Sequence, residues 1–309
     1  MSGAFLEVEG LVVDYPVDHG TFRAVDDVSF SVRRGGTLAI VGESGCGKST
    51  IARSIVRLIR PTAGRIVVGG TDIAQMSEKH LRPLRTRVQM IFQDPYGSLD
   101  PHLSAEEIVA EPLRVRGMRD RRARAREAAR LIDQVGLPAA ALERRPPEFS
   151  GGQRQRIGIA RALASRPDLL VCDEATSALD VSVQAQVLAL LMKIQAETGL
   201  TYVVISHNLG VVREISEDIV VMSRGRLVES GVTRDVLAVP THPYTRTLRR
   251  AALDPTAIRG RKPRELVRAR SAPPPAQPPA PLAERGTEHE TEHEAQHEAQ
   301  HEAQQGADR

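Results

Sequence analysis

Short apolar runs rich in valine and isoleucine recur along the chain, each bounded by glycine, aspartate or proline. This pattern is typical of β-strands. The predicted strands are residues 5–8, 11–15, 28–32, 37–41, 65–68, 88–92, 169–172, 202–205 and 219–222. Segments with a helical pattern lie between several of these strands. The predicted helices are residues 48–59, 105–115, 121–135, 152–164, 183–197 and 209–215.

The order of these elements predicts the fold class. Strands that alternate with helices favour a mostly parallel α/β sheet. The strands before residue 42 follow one another without helices, which indicates a small antiparallel β portion. Residues 94–166 contain helical patterns but no clear strand, so we interpret them as a helical subdomain inserted into the α/β core.

The end of the chain differs from the rest in composition. Residues 271–281 are proline-rich and should be extended, and a low-complexity repeat follows them. We therefore expect residues 271–309 to form a disordered tail. Four histidines recur in the repeat at every fourth position: His289, His293, His297 and His301. On a helix they would share one face and could chelate Ni²⁺ or Zn²⁺; the alternative is a slipped repeat without a role.

Composition restricts the classes of function. Apolar residues make up 41% and charged residues 26% of the 309 positions, near the globular average. The net charge of +3 gives little support to nucleic-acid binding. Eight arginines against two acids lie between Arg114 and Arg130, which a solvated helix face explains.

Cysteines and apolar runs indicate the compartment. Cys46 and Cys172 are too few for a zinc or iron–sulfur site and fit a reducing cytoplasm. We expect no signal peptide, because the first residues lack a basic and an apolar region. No apolar run approaches the about 18 residues of a membrane helix, so other chains would have to supply any membrane span.

A glycine-rich segment between a predicted strand and a predicted helix fits the phosphate-binding P-loop pattern. It consists of Gly42, Glu43, Ser44, Gly45, Cys46, Gly47, Lys48 and Ser49. Glycines let the backbone turn tightly, so that successive N–H groups and the helix N-terminus face the phosphates. In this pattern Lys48 reaches the β- and γ-phosphates and Ser49 ligates Mg²⁺, and we expect Thr50 to support the α-phosphate.

Two adjacent acids follow the apolar strand 169–172. Buried charge is expensive without a cation nearby, so Asp173 fits the role of holding Mg²⁺. Glu174 lies one residue further and is placed to polarise the attacking water as a general base. Solvated acids at a strand end are the alternative, and the P-loop in the same chain argues against it.

A further tetrapeptide lies upstream of these acids, where Ser150, Gly151, Gly152 and Gln153 begin 23 residues before Asp173. A P-loop ATPase with this tetrapeptide resembles the nucleotide-binding subunits of ABC transporters. The resemblance covers about residues 5 to 250, and the other motifs of the family occur there in the expected order. They are Tyr15 for the aromatic that stacks on adenine, Gln93 for the Q-loop, Ser177 to Asp180 for the D-loop, and His207 for the switch histidine.

This resemblance implies a P-loop NTPase of the ABC type over residues 1–231, with a RecA-like core. It implies that Glu174, His207, Gln93 and Lys48 are catalytic, and that Gln93 joins Ser49 and Asp173 at the metal. Ser150 should cap the helix that follows and form a second anion site. In this family that site faces ATP held by a second subunit, so Ser150–Gln153 and Asp180 would act in trans, head to tail.

Four segments resemble more narrowly the importers of oligopeptides, dipeptides and sometimes nickel. They are residues 89–101, 110–113, 177–186 and 242–245, the last reading His-Pro-Tyr-Thr. The resemblance implies a C-terminal extension over residues 232–270. Three residues depart from the family pattern. Asn208 follows the switch histidine where aspartate is usual, and Phe149 precedes Ser150 where leucine is commoner. Pro147 stands where the peptide importers often have histidine. A C-terminal iron–sulfur cluster, which some members carry, is excluded because no cysteine follows Cys172.

An ATPase of this kind implies partners. They are two membrane-spanning permease subunits, docked in a groove near Gln93, and a second ATPase subunit that is a paralogue or a copy. An extracytoplasmic binding protein would act indirectly, and the chain would sit on the cytoplasmic face of the membrane. A nickel or other small-solute importer remains an alternative. An ABC ATPase of repair or translation has only the arginine run in its favour, so no specific nucleic acid is expected.

Overall fold

A computed structural model describes residues 3–18, 20–94, 96–176 and 179–253. They belong to one compact unit of the chain, Met1–Arg270, and the second unit, Ser271–Arg309, contains none of them. The predicted tail, with its four histidines, and the end of the predicted C-terminal extension therefore lie outside the described residues.

The described ranges contain ten strands and nine α-helices, together with three short 3₁₀ helices. The strands are β1 Ala4–Val17, β2 Gly20–Arg33, β3 Thr37–Gly42, β4 Ala63–Val68, β5 Thr71–Asp72, β6 Val88–Ile91, β7 Leu169–Asp173, β8 Thr201–Ile205, β9 Asp218–Ser223 and β10 Arg226–Val232. The helices are α1 Lys48–Ile55, α2 Glu78–Leu81, α3 Ala105–Val115, α4 Arg121–Gln134, α5 Gly151–Ala164, α6 Val181–Thr198, α7 Leu209–Ile215, α8 Thr233–Ala238 and α9 Pro243–Leu253.

The strands form two sheets. A four-stranded sheet has the order β2-β1-β4-β5, and its neighbouring strands pair antiparallel. A six-stranded sheet has the order β10-β9-β3-β8-β7-β6 and is parallel except for β10, which runs antiparallel to β9 at the edge. The predicted combination of a mostly parallel α/β sheet and a small antiparallel portion is confirmed.

The predicted strands 5–8 and 11–15 are one strand, β1. Its pairing with β2 shifts register between Val8 and Leu11, and Gly10 between them has a φ of 55°. A glycine in the left-handed region absorbs the extra residue of a β-bulge. The interruption that suggested two strands is thus an irregularity inside a single one.

Apolar packing joins the two sheets. Leu6 of β1, Leu38 and Ile40 of β3, and Ile51 and Ile55 of α1 belong to one buried cluster. The first helix is therefore clamped between the antiparallel sheet and the parallel sheet. This packing holds the loop that leads into α1 between two rigid layers.

Three helices, α3, α4 and α5, form the inserted part between β6 and β7. Ile108, Leu131 and Ile157, one from each helix, share a buried cluster with Leu170 of β7 and Val204 of β8. The insertion therefore packs on the face of the parallel sheet through its own apolar core. Within the described ranges, no helix is both long and apolar enough to cross a lipid bilayer.

Helix α1 ends four residues earlier than predicted, at Ile55. Arg57 adopts a left-handed φ of 55°, and its N–H and that of the next residue bond back to the last turn, as in a Schellman motif. Its buried guanidinium donates to the carbonyls of Ile73 and Met76 at 2.7 and 3.0 Å. These bonds compensate for a conformation that normally favours glycine.

The segment after β10 contains two helices that the sequence pattern did not predict. The first, α8, has only six residues, too few for a clear period. The second, α9, begins at Pro243, a residue favoured in the first turn. Tyr244 and Leu248 of α9 are buried in a cluster with Ala39 and Val41 of β3. The extension therefore packs against the strand that carries the P-loop.

Candidate functional site

The P-loop joins β3, which ends at Gly42, to α1, which begins at Lys48. A β-carbon on Gly42 would lie 2.4 Å from the carbonyl oxygen of Met222, and one on Gly47 would lie 2.5 Å from that of Ala24. Gly47 also has a φ of 104°. Only glycine fits such a close backbone approach, so the loop has the tight cradle that a phosphate requires.

Lys48 lies inside this cradle with only 5% of its surface exposed. Its ammonium group donates to the carbonyl oxygens of Gly42 and Glu43, both at 2.9 Å. Its third contact, at 3.9 Å, is with the sulfur of Cys46, which is a weak acceptor. The ammonium can therefore give up that contact to a phosphate oxygen without losing its two anchors.

Asp173 ends β7 and is 3% exposed. Burial raises the pKa of its carboxyl group, a hydrogen bond from Ser49 opposes the rise, and the charge of Glu174 adds to it. The Ser49 hydroxyl donates to Asp173 Oδ1 at 2.9 Å. A buried carboxylate beside a hydroxyl offers the hard oxygen ligands that Mg²⁺ prefers, so these residues fit the predicted ion.

Glu174 follows β7 in a left-handed conformation, with a φ of 46°, and its N–H donates to the carbonyl of Ile205 at 3.0 Å. Gln93 donates its side-chain amide to Glu174 Oε2 at 3.0 Å, and Nδ1 of His207 lies 3.4 Å from the same oxygen. Three neighbouring strands, β6, β7 and β8, thus bring three predicted catalytic residues together. Strained backbone at such a position is typical of functional sites.

Tyr15 connects the antiparallel sheet to the P-loop. Its hydroxyl lies 3.4 Å from the side-chain oxygen of Thr50, and its half-buried ring packs against the cluster that joins the two sheets. The predicted adenine-stacking residue therefore lies beside the first turn of α1.

Asn208, the departure noted after the switch histidine, has a structural explanation. It is the N-cap of α7, and its side-chain oxygen accepts from the N–H groups of Gly210 and Val211 at 2.9 and 3.4 Å. Asparagine and aspartate are both favoured N-caps, so the substitution keeps the turn that carries His207.

Ser150 is the N-cap of α5 and forms a capping box with Gln153. The serine oxygen accepts from the Gln153 N–H at 3.4 Å, and the Ser150 N–H donates to the Gln153 side chain at 3.0 Å. A β-carbon on Gly152 would lie 2.4 Å from Val183, so α5 and α6 are in close contact here. The predicted anion site therefore has the helix terminus that it needs, on the inserted helical part.

The predicted D-loop is described only at its end. Ser177 and Ala178 lie outside the described residues, while Asp180 is exposed and is the N-cap position of α6. The next residue, Val181, has 83% of its surface exposed.

Two features of the site have no local signal in the sequence. The first is a hydrogen bond from the N–H of Glu43 to the hydroxyl of Tyr244, at 2.9 Å. The second is the extent of the cleft near Gln93, which has a volume of about 830 Å³. It is lined on one side by residues from α1 to β6, among them Arg53, Val88 and Met90, and on the other by Glu111, Pro112 and Arg161 of the helical part.

Comparisons with known proteins agree with this architecture. A family model described as ABC transporter matches residues 25–177. The probable peptide ABC transporter ATP-binding protein y4tS of Sinorhizobium fredii is 52% identical over 84% of this chain and 76% of its own length. The oligopeptide transport ATP-binding protein AppF of Bacillus subtilis is 47% identical over 79% of this chain and 76% of its own.

A solved structure shows the same fold. The ATP-binding cassette MJ0796, in a dimeric post-hydrolysis state with ADP and Pi, matches with a TM-score of 0.69 and 29% identity. The match covers 74% of this chain and 99% of that one. The two sheets, the inserted helices and the P-loop define a P-loop ATPase of the ABC type.

The chain belongs to the ATP-binding proteins of ABC transporters. The predicted family, fold class and ATPase activity are thereby confirmed.

Glycines of the P-loop allow a matched test of the cradle. Gly47→Ala adds a clash with the Ala24 carbonyl to the strain of a positive φ. At Gly45, which has a φ of 79°, an added β-carbon would have no neighbour within 4 Å. We expect Gly45→Ala to lower the free energy of unfolding by about 1 kcal/mol. Gly47→Ala should lower it by more than about 2 kcal/mol and weaken ATP binding. Urea unfolding and ATP titration would measure both effects, and equal stabilities would contradict this geometry.

Proposed function

We propose that this chain is the ATP-hydrolysing subunit of an importer that carries peptides across a membrane. The observation that supports the substrate class is the 52% identity, over 84% of this chain, with a protein named as a peptide ABC transporter ATP-binding protein. That similarity extends well beyond the 153 positions from 25 to 177 that the family model matches. Membrane subunits and an extracytoplasmic binding protein would select the peptide.

The geometry supports a role for each residue around the nucleotide. Tyr15 would stack on the adenine, and N–H groups of residues 42–50 other than that of Glu43, which donates to Tyr244, would hold the phosphates. Lys48 keeps its two carbonyl anchors and donates to the β- and γ-phosphates. ATP supplies the phosphoryl group. Ser49, Gln93 and Asp173 would hold Mg²⁺, which would neutralise charge on the phosphates.

The water that attacks ATP is activated by Glu174. The Glu174 carboxylate accepts a hydrogen bond from Gln93 and lies near His207, so both neighbours orient the base. Because the Gln93 amide donates to Glu174 through its nitrogen, its oxygen would still be available as a ligand for Mg²⁺. General-base catalysis by a positioned carboxylate is worth about 10²- to 10⁴-fold in rate.

A complete site requires two ATPase subunits. In our proposal, Ser150–Gln153 and Asp180 of the opposite subunit close over the γ-phosphate, and the N-terminus of α5 supplies N–H donors and a partial positive charge. The dimeric state of the MJ0796 cassette supports this arrangement. The second subunit is a copy of this chain or a paralogue.

The cleft near Gln93 is the proposed docking site for two permease subunits. It lies between the α/β core and the helical part, and its volume of about 830 Å³ suits one short helix of a permease. The chain would then sit on the cytoplasmic face of the membrane, attached through the permeases.

Removal of the general base should separate binding from turnover. We expect Glu174→Gln to bind ATP normally but to lower kcat at least about 100-fold, whereas Lys48→Ala should lose ATP binding as well. Steady-state ATPase assays and nucleotide titration would measure both. Glu78→Gln, an exposed glutamate paired with Arg85, is the control and should keep full turnover. Normal turnover in Glu174→Gln would remove Glu174 as the base.

Mixing two inactive variants tests the composite site. Lys48→Ala lacks the P-loop cation and Ser150→Arg blocks the helix cap of α5, so each alone should have almost no ATPase activity. In a mixed dimer, one site combines an intact Lys48 with an intact Ser150. Partial ATPase activity should therefore return on mixing. The two substitutions can be placed in two copies of this chain, or one in this chain and the other in a paralogue. Normal hydrolysis by Ser150→Arg alone would show that the capping site acts elsewhere.

The transported substrate can be tested in cells that lack this chain. We expect loss of labelled di- or oligopeptide uptake, which the wild-type chain but not Glu174→Gln restores. Affinity purification from detergent-solubilised membranes should recover two permeases with the chain. Unchanged peptide uptake together with lost Ni²⁺ uptake would favour the nickel alternative.

A further inference from the structure

The C-terminal extension reaches the P-loop through one buried tyrosine. Tyr244, in the first turn of α9, has 4% of its surface exposed, and its hydroxyl accepts from the N–H of Glu43 at 2.9 Å. The two residues are 201 positions apart in the sequence. Burial raises the pKa of Tyr244 to about 12, so the hydroxyl stays neutral at physiological pH.

The hydrogen bond acts on the peptide unit that also holds Lys48. The N–H of the Gly42–Glu43 peptide donates to Tyr244, and the C=O of the same peptide accepts from the Lys48 ammonium at 2.9 Å. A peptide unit is planar, so a bond that fixes its N–H also fixes the direction of its C=O. Tyr244 thereby orients one of the two carbonyl anchors of Lys48.

The start of α9 is itself held on β10. Glu229 of β10 accepts from the backbone N–H and the hydroxyl of Thr241, both at 2.7 Å, and from the N–H of His242 at 3.1 Å. His242 Nδ1 in turn accepts from the N–H of Tyr244 at 3.2 Å. A continuous series of hydrogen bonds therefore runs from β10 through the start of α9 to the P-loop.

We propose that Tyr244 is a positioning residue for nucleotide binding, which holds the Gly42–Glu43 peptide so that Lys48 faces the phosphates. The inference rests on the proposed role of Lys48 as the phosphate ligand. It assigns to the C-terminal extension a part in setting the ATP affinity of the site.

Tyr244→Phe tests this directly, because it removes one oxygen and keeps the ring that packs on β3. Loss of one net hydrogen bond should raise the Kd for Mg·ATP about two- to tenfold. The KM for ATP should rise by the same factor, while kcat at saturating ATP stays near wild type. Calorimetric titration of the full chain with Mg·ATP and steady-state ATPase assays would measure the three quantities.

Tyr202→Phe is the matched control. Tyr202 is fully buried, and its hydroxyl donates to the carbonyl of Leu191 in α6 at 3.0 Å, away from the P-loop. Tyr202→Phe removes the same hydroxyl oxygen and a comparable hydrogen bond as Tyr244→Phe. Because this bond does not involve the P-loop, ATP affinity should stay at the wild-type value. Glu229→Gln, which loosens the start of α9, should weaken ATP binding in the same direction as Tyr244→Phe.

The outcomes separate this inference from the proposed function. Wild-type affinity in Tyr244→Phe would overturn the positioning role alone. Equal weakening in Tyr244→Phe and Tyr202→Phe would also overturn it, since the effect would then follow general loss of stability. A wild-type chain that does not bind Mg·ATP would overturn the proposed function together with the inference.

Discussion

Burial of two opposite charges at one edge of the parallel sheet is the constraint on which the site depends. Lys48 and Asp173 are almost fully buried, and buried charge is tolerated only with polar partners. The Lys48 ammonium donates to two loop carbonyls, and the hydroxyl of Ser49 donates to Asp173. Those carbonyls converge only because glycines at Gly42 and Gly47 let the backbone approach its neighbours closely. A loop with other residues at these positions would leave the ammonium unsatisfied.

The loop that meets this constraint is supported from two sides. The antiparallel sheet packs against α1 and brings Tyr15 to Thr50. The C-terminal extension packs against the other face of β3 and brings Tyr244 to Glu43. Loops are ordinarily the mobile part of a fold, and a phosphate cradle has to be preorganised to stabilise charge. Contacts from two separate parts of the chain provide that preorganisation.

Much of this could be predicted from local patterns. Helices α3 and α7 have their predicted bounds, and each begins directly after a residue that caps it, Ser104 or Asn208. The P-loop was predicted because its pattern is short and contiguous. The predicted end of α1 was wrong. Just past the end of the helix an arginine, Arg57, stands in the position where glycine is usual, and bonds to the distant carbonyls of Ile73 and Met76 hold it there. The Tyr244–Glu43 bond joins residues 201 positions apart, and no local pattern encodes such a contact.

Gln93 connects the two ends of the proposed mechanism. It lines the cleft in which a permease helix would lie, and its amide donates to the carboxylate of Glu174. A helix that moves within the cleft would displace this side chain and with it the orientation of the general base. Because a misplaced base loses most of its catalytic effect, hydrolysis would depend on the state of the permease. In the proposed mechanism, such coupling would need no long pathway, since Gln93 both lines the cleft and contacts Glu174.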